Sequence, residues 1–203
     1  VIPLDIEQGS DEWFKARAGI PTGSCFGRIL TPSGSLSDQR DKYIDDLCGD
    51  WLMGKPDPDD FKSYWMDRGN RLEPDARSFY SFTHNVKVEQ VGFCYLDVLR
   101  RFGVSPDGLV GTVGGLEIKC PKKGTHVRNL RLQYMPKVYI PQVQGCMWVC
   151  KRKWWDFMSF HPEMPPMIVR VHRDSEYITK LAIAMNVFLN DLSDQKQQME
   201  IYQ

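Results

Sequence analysis

Ser105-Pro106-Asp107-Gly108-Leu109-Val110, followed after a glycine-rich turn by Leu116-Glu117-Ile118-Lys119-Cys120, is the stretch on which the fold turns. Two short apolar runs around such a turn read as a β-hairpin. In a hairpin symmetric about Thr112, Asp107 and Glu117 lie opposite each other. Opposed residues share a face, with Cβ atoms about 5 Å apart. Glu117 and Lys119, two apart on one strand, share that face, while Ile118 points the other way, into a core. This register gathers two carboxylates and one ammonium on a single patch. Carboxylates this close repel and call for a cation, and oxygen donors suit Mg²⁺ or Mn²⁺. An ion there stabilises charge on a phosphate and acidifies a bound water. Lys119 is placed to orient or deprotonate that water and to offset transition-state charge. Read as bare spacing, the same residues are equally a hairpin with ordinary surface charges.

Outward from the hairpin, the pattern is helical on both sides. A short helix runs from Ser10, a plausible N-cap, to about Arg17; Gly19–Pro21 breaks it and a second helix opens at Thr22. Ile44, Leu47, Cys48, Trp51 and Leu52 recur at helical spacing within Asp38–Met53, and Pro56–Asp60 reads as a loop. Trp65, Leu72, Ala76, Phe79 and Tyr80 mark another helical face, with a kink or restart expected at Pro74. Strands occupy Val86–Lys119, then come a helix over Tyr139–Cys150, strands at Trp154–Phe160 and Met167–His172, and a long helix from Tyr177. This order implies one α/β domain over residues 1–203, a central mixed β-sheet flanked by helices.

The formal net charge is +0, yet the charges are segregated. From Ile118 to Trp155 there is no Asp or Glu, while Lys119, Lys122, Lys123, Arg128, Arg131, Lys137, Lys151, Arg152 and Lys153 all fall there. Residues 38–75 hold eleven acids against six bases. One basic and one acidic surface follow, and the basic one suits phosphate. No apolar run reaches the roughly 18 residues of a membrane span. Asp5 and Glu7 stand where a secretory signal is basic, so a cytoplasmic setting is expected. The six cysteines lack metal-site spacing and read as buried free thiols. Thr22-Gly23-Ser24 at a helix start, with Arg17 just before it, is suited to an anion, although capping explains the two hydroxyls as well.

Pro106-Asp107 with Glu117-Ile118-Lys119 resembles the PD-(D/E)xK nuclease motif. The surroundings resemble the phage lambda exonuclease family of viral recombination nucleases in four ordered blocks. These are Glu7-Gln8-Gly9 with Trp13, Arg17 and Gly19; Glu73 with Asp75-Ala76-Arg77; Ser105–Gly108 with Glu117–Pro121; and Gln142-Val143-Gln144 with Met147-Trp148-Val149. Gly49–Tyr64 and the basic stretch after Pro121 match poorly.

The resemblance implies a restriction-endonuclease-like core. It further implies that Asp107, Glu117 and the Ile118 carbonyl bind metal, two Mg²⁺ or Mn²⁺ ions per site, with Lys119 serving the nucleophilic water. Glu73 is implied beside the metals and Gln144 near the lysine; Arg17, Ser24 and Thr22 are implied in a pocket for a terminal 5′-phosphate. The expected activity is 5′→3′ digestion of one strand of linear duplex DNA to mononucleotides, leaving a 3′ overhang. A ring-shaped homotrimer, a single-strand annealing partner and a phage or prophage in a bacterial cytoplasm complete the implied setting. A restriction-type endonuclease on the same core is the rival activity, and a non-catalytic DNA-binding protein of that fold is the rival class.

Overall fold

The computed structural model describes residues 1–57 and 64–202, with the side chains of 64–66 left aside. In chain order the elements are β1 (Ile2–Leu4), α1 (Asp11–Arg17), a 3₁₀ helix (Gly23–Arg28), α2 (Arg40–Met53), α3 (Tyr64–His84), β2 (Val88–Glu89), β3 (Phe93–Tyr95), β4 (Gly103–Val104), β5 (Gly108–Val110), β6 (Gly114–Lys119), α4 (Lys123–Leu132), α5 (Ile140–Val149), β7 (Trp154–His161), β8 (Met164–His172) and α6 (Ser175–Met199). Of the expected Pro56–Asp60 loop, Pro58, Asp59 and Asp60 lie outside the described residues, as does the side chain of Trp65.

The hairpin adopts the register its sequence symmetry requires. Gly108 pairs with Leu116, Leu109 with Gly115 and Val110 with Gly114, a ladder centred on Thr112. Gly111 starts the turn at φ +53°, a conformation side chains resist. Gly115 has a different reason: a Cβ there would stand 2.3 Å from the Trp155 ring on the neighbouring strand.

β6 then pairs in parallel with β7, giving a mixed sheet of order β2-β5-β6-β7-β8. Alternation along β6 and β7 serves two covered faces. Leu116, Ile118, Met158 and Phe160 pack with Ala76 and Tyr80 of α3. Trp155 faces the larger core under α2, α5 and α6, with Val143, Met147, Leu181 and Phe188. A second sheet, β1-β3-β4, carries Phe93 and Tyr95, which pack with Trp13 of α1. Sequence reading missed this sheet because strands of two or three residues carry almost no periodicity. It also missed α4, whose mostly polar sequence shows only two buried residues, His126 and Asn129.

Pro74 does not break its helix, contrary to the expected restart: α3 is one element of 21 residues. Proline removes one backbone hydrogen bond at a cost of about 3 kcal/mol. Tertiary anchors downstream outweigh it. Ala76 is fully buried, and the Tyr80 hydroxyl donates to Asp156 at 2.6 Å. Asp156 is also gripped by Arg170, 2.8 and 2.9 Å from its two oxygens. All six cysteines are free, four of them buried.

Candidate active site

β6 ends at Lys119, and its last residues form one wall of a cavity of about 1170 Å³. Glu117 lies beneath α5, with 0% of its surface exposed. Of the expected patch, Glu117 is fully buried while Asp107 and Lys119 are half-buried at the cavity, because helices cover both sheet faces. Glu117 Oε1 accepts from Lys119 Nζ at 2.6 Å and from Gln142 Nε2 at 2.6 Å. Its other oxygen, Oε2, is buried with no partner among the described residues. Asp107, one residue before β5, turns its carboxylate onto the end of the hairpin and accepts from the Ile118 N–H at 2.6 Å. From α3, Arg77 donates to the Asp107 carbonyl at 2.8 Å and forms an ion pair with Glu73 one helical turn earlier. Lys119 Nζ also lies 5.3 Å from the centre of the Tyr139 ring.

The electrostatics follow from three carboxyls sharing a poorly solvated space. Burial pushes the Glu117 carboxyl up to about 8; Lys119 pulls it down and Asp107 raises it further. Burial and then Asp107 lift Glu73 to about 7, against the pull of Arg77 and Lys119. Asp107 is raised too, chiefly by burial. Burial opposes the Lys119 charge, but Glu117 and Asp107 overcome it, and the ammonium is held more firmly protonated than usual.

This cluster fits a divalent cation. The orphaned Glu117 Oε2 is an acceptor waiting for positive charge, and repulsion among the carboxyls is what a cation removes. Among the described residues, no group of three His, Cys, Asp or Glu side chains is set to hold a metal ion by itself. Glu73 is taken up by Arg77, which leaves Asp107, Glu117 and the Ile118 carbonyl as donors. One or two carboxylates completed by water and substrate phosphate is the habit of Mg²⁺ rather than of a closed cage.

Trp13, Arg17 and Ser24 also line this cavity. The Arg17 guanidinium lies 4.0 Å over the Trp13 ring and donates to Ser105 Oγ at 3.3 Å. Trp13 Nε1 donates to the same oxygen at 2.8 Å. Gln8 Nε2 donates to the Pro106 carbonyl at 3.0 Å, tying this wall to the hairpin. Burial lowers the Arg17 pKa to about 10, so the group stays charged near neutrality. Two sites that are about ninety residues apart in sequence thus share one cavity.

Two expected residues are placed elsewhere. Gln144 is not at the lysine: it donates to the His172 carbonyl at 3.0 Å and accepts from Asp174 N–H at 2.9 Å, bridging β8 to the start of α6. Gln142, two residues earlier and on a different side of α5, is the glutamine at the carboxylate. Thr22 is buried; its N–H donates to Tyr43 Oη and its side chain caps nothing. The helix it precedes is a six-residue 3₁₀ segment, too short for an appreciable dipole, so anion affinity on that wall rests on side chains. Arg77, Gln142, Tyr139, Trp13 and Ser105 are the site residues to which sequence reasoning gave no role. All but Tyr139 belong to the matched blocks, which was the available signal.

A family model described as a YqaJ-like viral recombinase domain matches residues 12–153. An alkaline exonuclease from Laribacter hongkongensis has a similar structure, with TM-score 0.85 and 31% identity over 95% of this chain and 97% of that one. The same enzyme in complex with dAMP gives the same figures. A phage related exonuclease from Haemophilus somnus 129PT shares the fold at TM-score 0.70 and 17% identity, over 89% of this chain and 96% of that one. Uncharacterized protein R354 of Acanthamoeba polyphaga mimivirus is 27% identical over an alignment 172 residues long that covers 75% of this chain and 29% of that protein. This chain thus spans less than a third of the length of that relative. With this sheet and this hairpin, the chain belongs to the YqaJ-like viral recombinase family, that of lambda exonuclease, and has the restriction-endonuclease-like fold.

Proposed function

We propose that this protein is a metal-dependent exonuclease that degrades one strand of linear duplex DNA from its 5′ end, releasing mononucleotides and leaving a 3′ single strand. The observation that carries this reading is the one cavity lined by Asp107, Ile118 and Lys119, with Glu117 buried directly behind Lys119 and Gln142, and also by Trp13, Arg17 and Ser24. A strand end held by Arg17 and Ser24 presents its first phosphodiester to the Asp107 cluster. The alkaline exonuclease solved with dAMP, a deoxynucleoside monophosphate, supports a mononucleotide product.

Asp107, Glu117 and the Ile118 carbonyl would hold Mg²⁺ or Mn²⁺, one or two ions. When bound, the metal supplies Lewis acidity at the phosphate and a more acidic water. This chain's own groups do the rest. Lys119 is held as an ammonium by Glu117 and Asp107, which favours orienting the water and offsetting phosphate charge over removing a proton. Gln142 and Lys119 together fix the Glu117 carboxylate. Arg77 holds Glu73 against the hairpin at the cavity wall. Arg17 offers a planar fork of donors to a terminal phosphate, and Ser24 a hydroxyl. The ring homotrimer and the single-strand annealing partner implied by the family belong to this proposal.

Incubation with Mg²⁺ and either linear or covalently closed circular duplex tests it. The expected result is nucleoside monophosphates from the linear form and an intact circle. Linearisation of the circle would instead identify an endonuclease. No loss of either form would point to a DNA-binding protein on the nuclease fold.

A further inference from the structure

Beyond Lys119 the chain makes an excursion that leaves the cavity wall at Pro121 and rejoins it at Tyr139. Between these points stands α4, whose inner side is fixed to the sheet. Fully buried His126 makes hydrogen bonds with Ser159 Oγ at 2.9 Å and the Pro165 carbonyl at 3.0 Å, and Asn129 donates to Ser159 Oγ at 3.1 Å. The outer side therefore has a defined direction. Lys123, Val127 and Arg131 follow one another at four-residue intervals, Arg128 lies beside them, and Lys137 comes just after the helix; all five are exposed.

Among the described residues, none of Lys123, Arg128, Arg131 and Lys137 forms an ion pair, whereas Arg28, Arg40, Arg77, Lys119, Arg170 and Lys180 each do. No acid occurs between residues 118 and 155 to relieve them. Glu163 shares a shallow depression with Lys123. Like charges along one helix repel, and no ion pair among the described residues offsets them. Gly124 adds a second oddity. A Cβ there would meet nothing within 4 Å, so packing within the chain does not require glycine at this second residue of α4. Its absent side chain lets a partner approach the backbone closely.

We propose that the outer face of α4, continued by Lys137, is a rail for the sugar–phosphate backbone of the DNA duplex whose strand end enters the cavity. This rests on reading the cavity as a DNA nuclease site. The scale suits a duplex: Lys123 to Arg131 covers about 12 Å of helix, the axial rise of three to four phosphates of one strand. The contact is to phosphates, so it holds register and orientation without choosing sequence.

The experiment is equilibrium binding of a blunt duplex of about 20 base pairs, in EDTA, over a salt series. It compares the wild type, the triple variant Arg128→Ala/Arg131→Ala/Lys137→Ala, and the control Lys42→Ala/Lys180→Ala. Each phosphate contact contributes about 0.9 to the slope of log K against log salt. The triple variant is expected to lose about 2–3 from that slope and at least tenfold in Kd at low salt, with the control unchanged. Melting curves verify the fold, and the single variant Arg131→Gln replaces the triple if its Tm falls. An unchanged slope overturns the proposal, as does binding to anionic vesicles that depends on these residues while duplex binding does not. An α4-dependent slope in a protein that digests no DNA would sink the nuclease reading and leave the rail standing. Digestion with an α4-independent slope does the reverse.

Discussion

Replacing Gln142 and Gln144 by alanine, one at a time, separates chemistry from scaffolding on a single helix. Gln142 Nε2 lies 2.6 Å from Glu117 Oε1, on a carboxylate with 0% of its surface exposed. A hydrogen bond to a charged group contributes about 1.5–3 kcal/mol. If that stabilisation acts in the chemical step, its loss slows cleavage about ten- to 150-fold. The loss also has a pH signature. Gln142 stabilises the ionised form of Glu117, so its removal raises the carboxyl further and moves the ascending limb of the pH–rate profile to higher pH. Gln144 makes two partly buried neutral hydrogen bonds, to the His172 carbonyl and from the Asp174 N–H. Removing both costs about 1–3 kcal/mol, or roughly 3–10 °C in Tm for a chain of this size. The assay is single-turnover digestion at 25 °C with saturating Mg²⁺, over pH, beside melting curves. Gln142→Ala should be slow and stable, and Gln144→Ala active but easily melted. A fast Gln142→Ala with a slow, fully stable Gln144→Ala would refute this assignment of the two glutamines.

Three further outcomes follow from the same geometry. Burial raises the Glu73 and Glu117 carboxyls from 4.5 to about 7 and about 8, so the stability their protonated forms contribute is lost as pH rises from about 4.5 through those values. Tm of the metal-free protein should fall from pH 5.5 to 8.5 and fall less in Glu117→Gln, and Mg²⁺ should raise it most at pH 8.5; a metal-free Tm independent of pH in both proteins would count against this. Lys119→Met keeps the aliphatic stem and removes a charge held by Glu117 at 2.6 Å, so kcat should collapse while end binding largely survives. Weakened binding with an unchanged chemical step would make Lys119 a phosphate contact instead. Arg17→Met should slow digestion of 5′-phosphorylated ends about tenfold or more and of 5′-hydroxyl ends only slightly. Equal proportional losses on both ends would make Arg17 structural.

Much of this site is visible in the sequence because a hairpin is a local object. The spacing of Asp107, Glu117 and Lys119 about Thr112 fixes register, face and charge without knowledge of the rest of the chain. Burial of that face is not local. Glu117 is covered by α5, and nothing near residue 117 announces which helix will lie over it. The choice between Gln142 and Gln144 fails for the same reason. Two residues apart on a helix is a rotation of about 200°, so the one facing the carboxylate depends on how α5 docks. Pro74 misleads because propensity describes an isolated helix, whereas Tyr80 and Asp156 hold this one from the far side of the proline. The Arg17 wall was legible through the resemblance, but its convergence with the metal cluster is tertiary. α4 escaped because docking through His126 and Asn129 leaves no apolar stripe to read.

The central claim is tested most directly by the first product released from a blunt linear duplex labelled distinguishably at the 5′ and 3′ ends of one strand. With Mg²⁺, the 5′ label is expected to appear first, as a mononucleotide, and Glu117→Gln or removal of the metal is expected to abolish its release. Earlier release of the 3′ label, internal cuts before either end, or undiminished release without metal would contradict it.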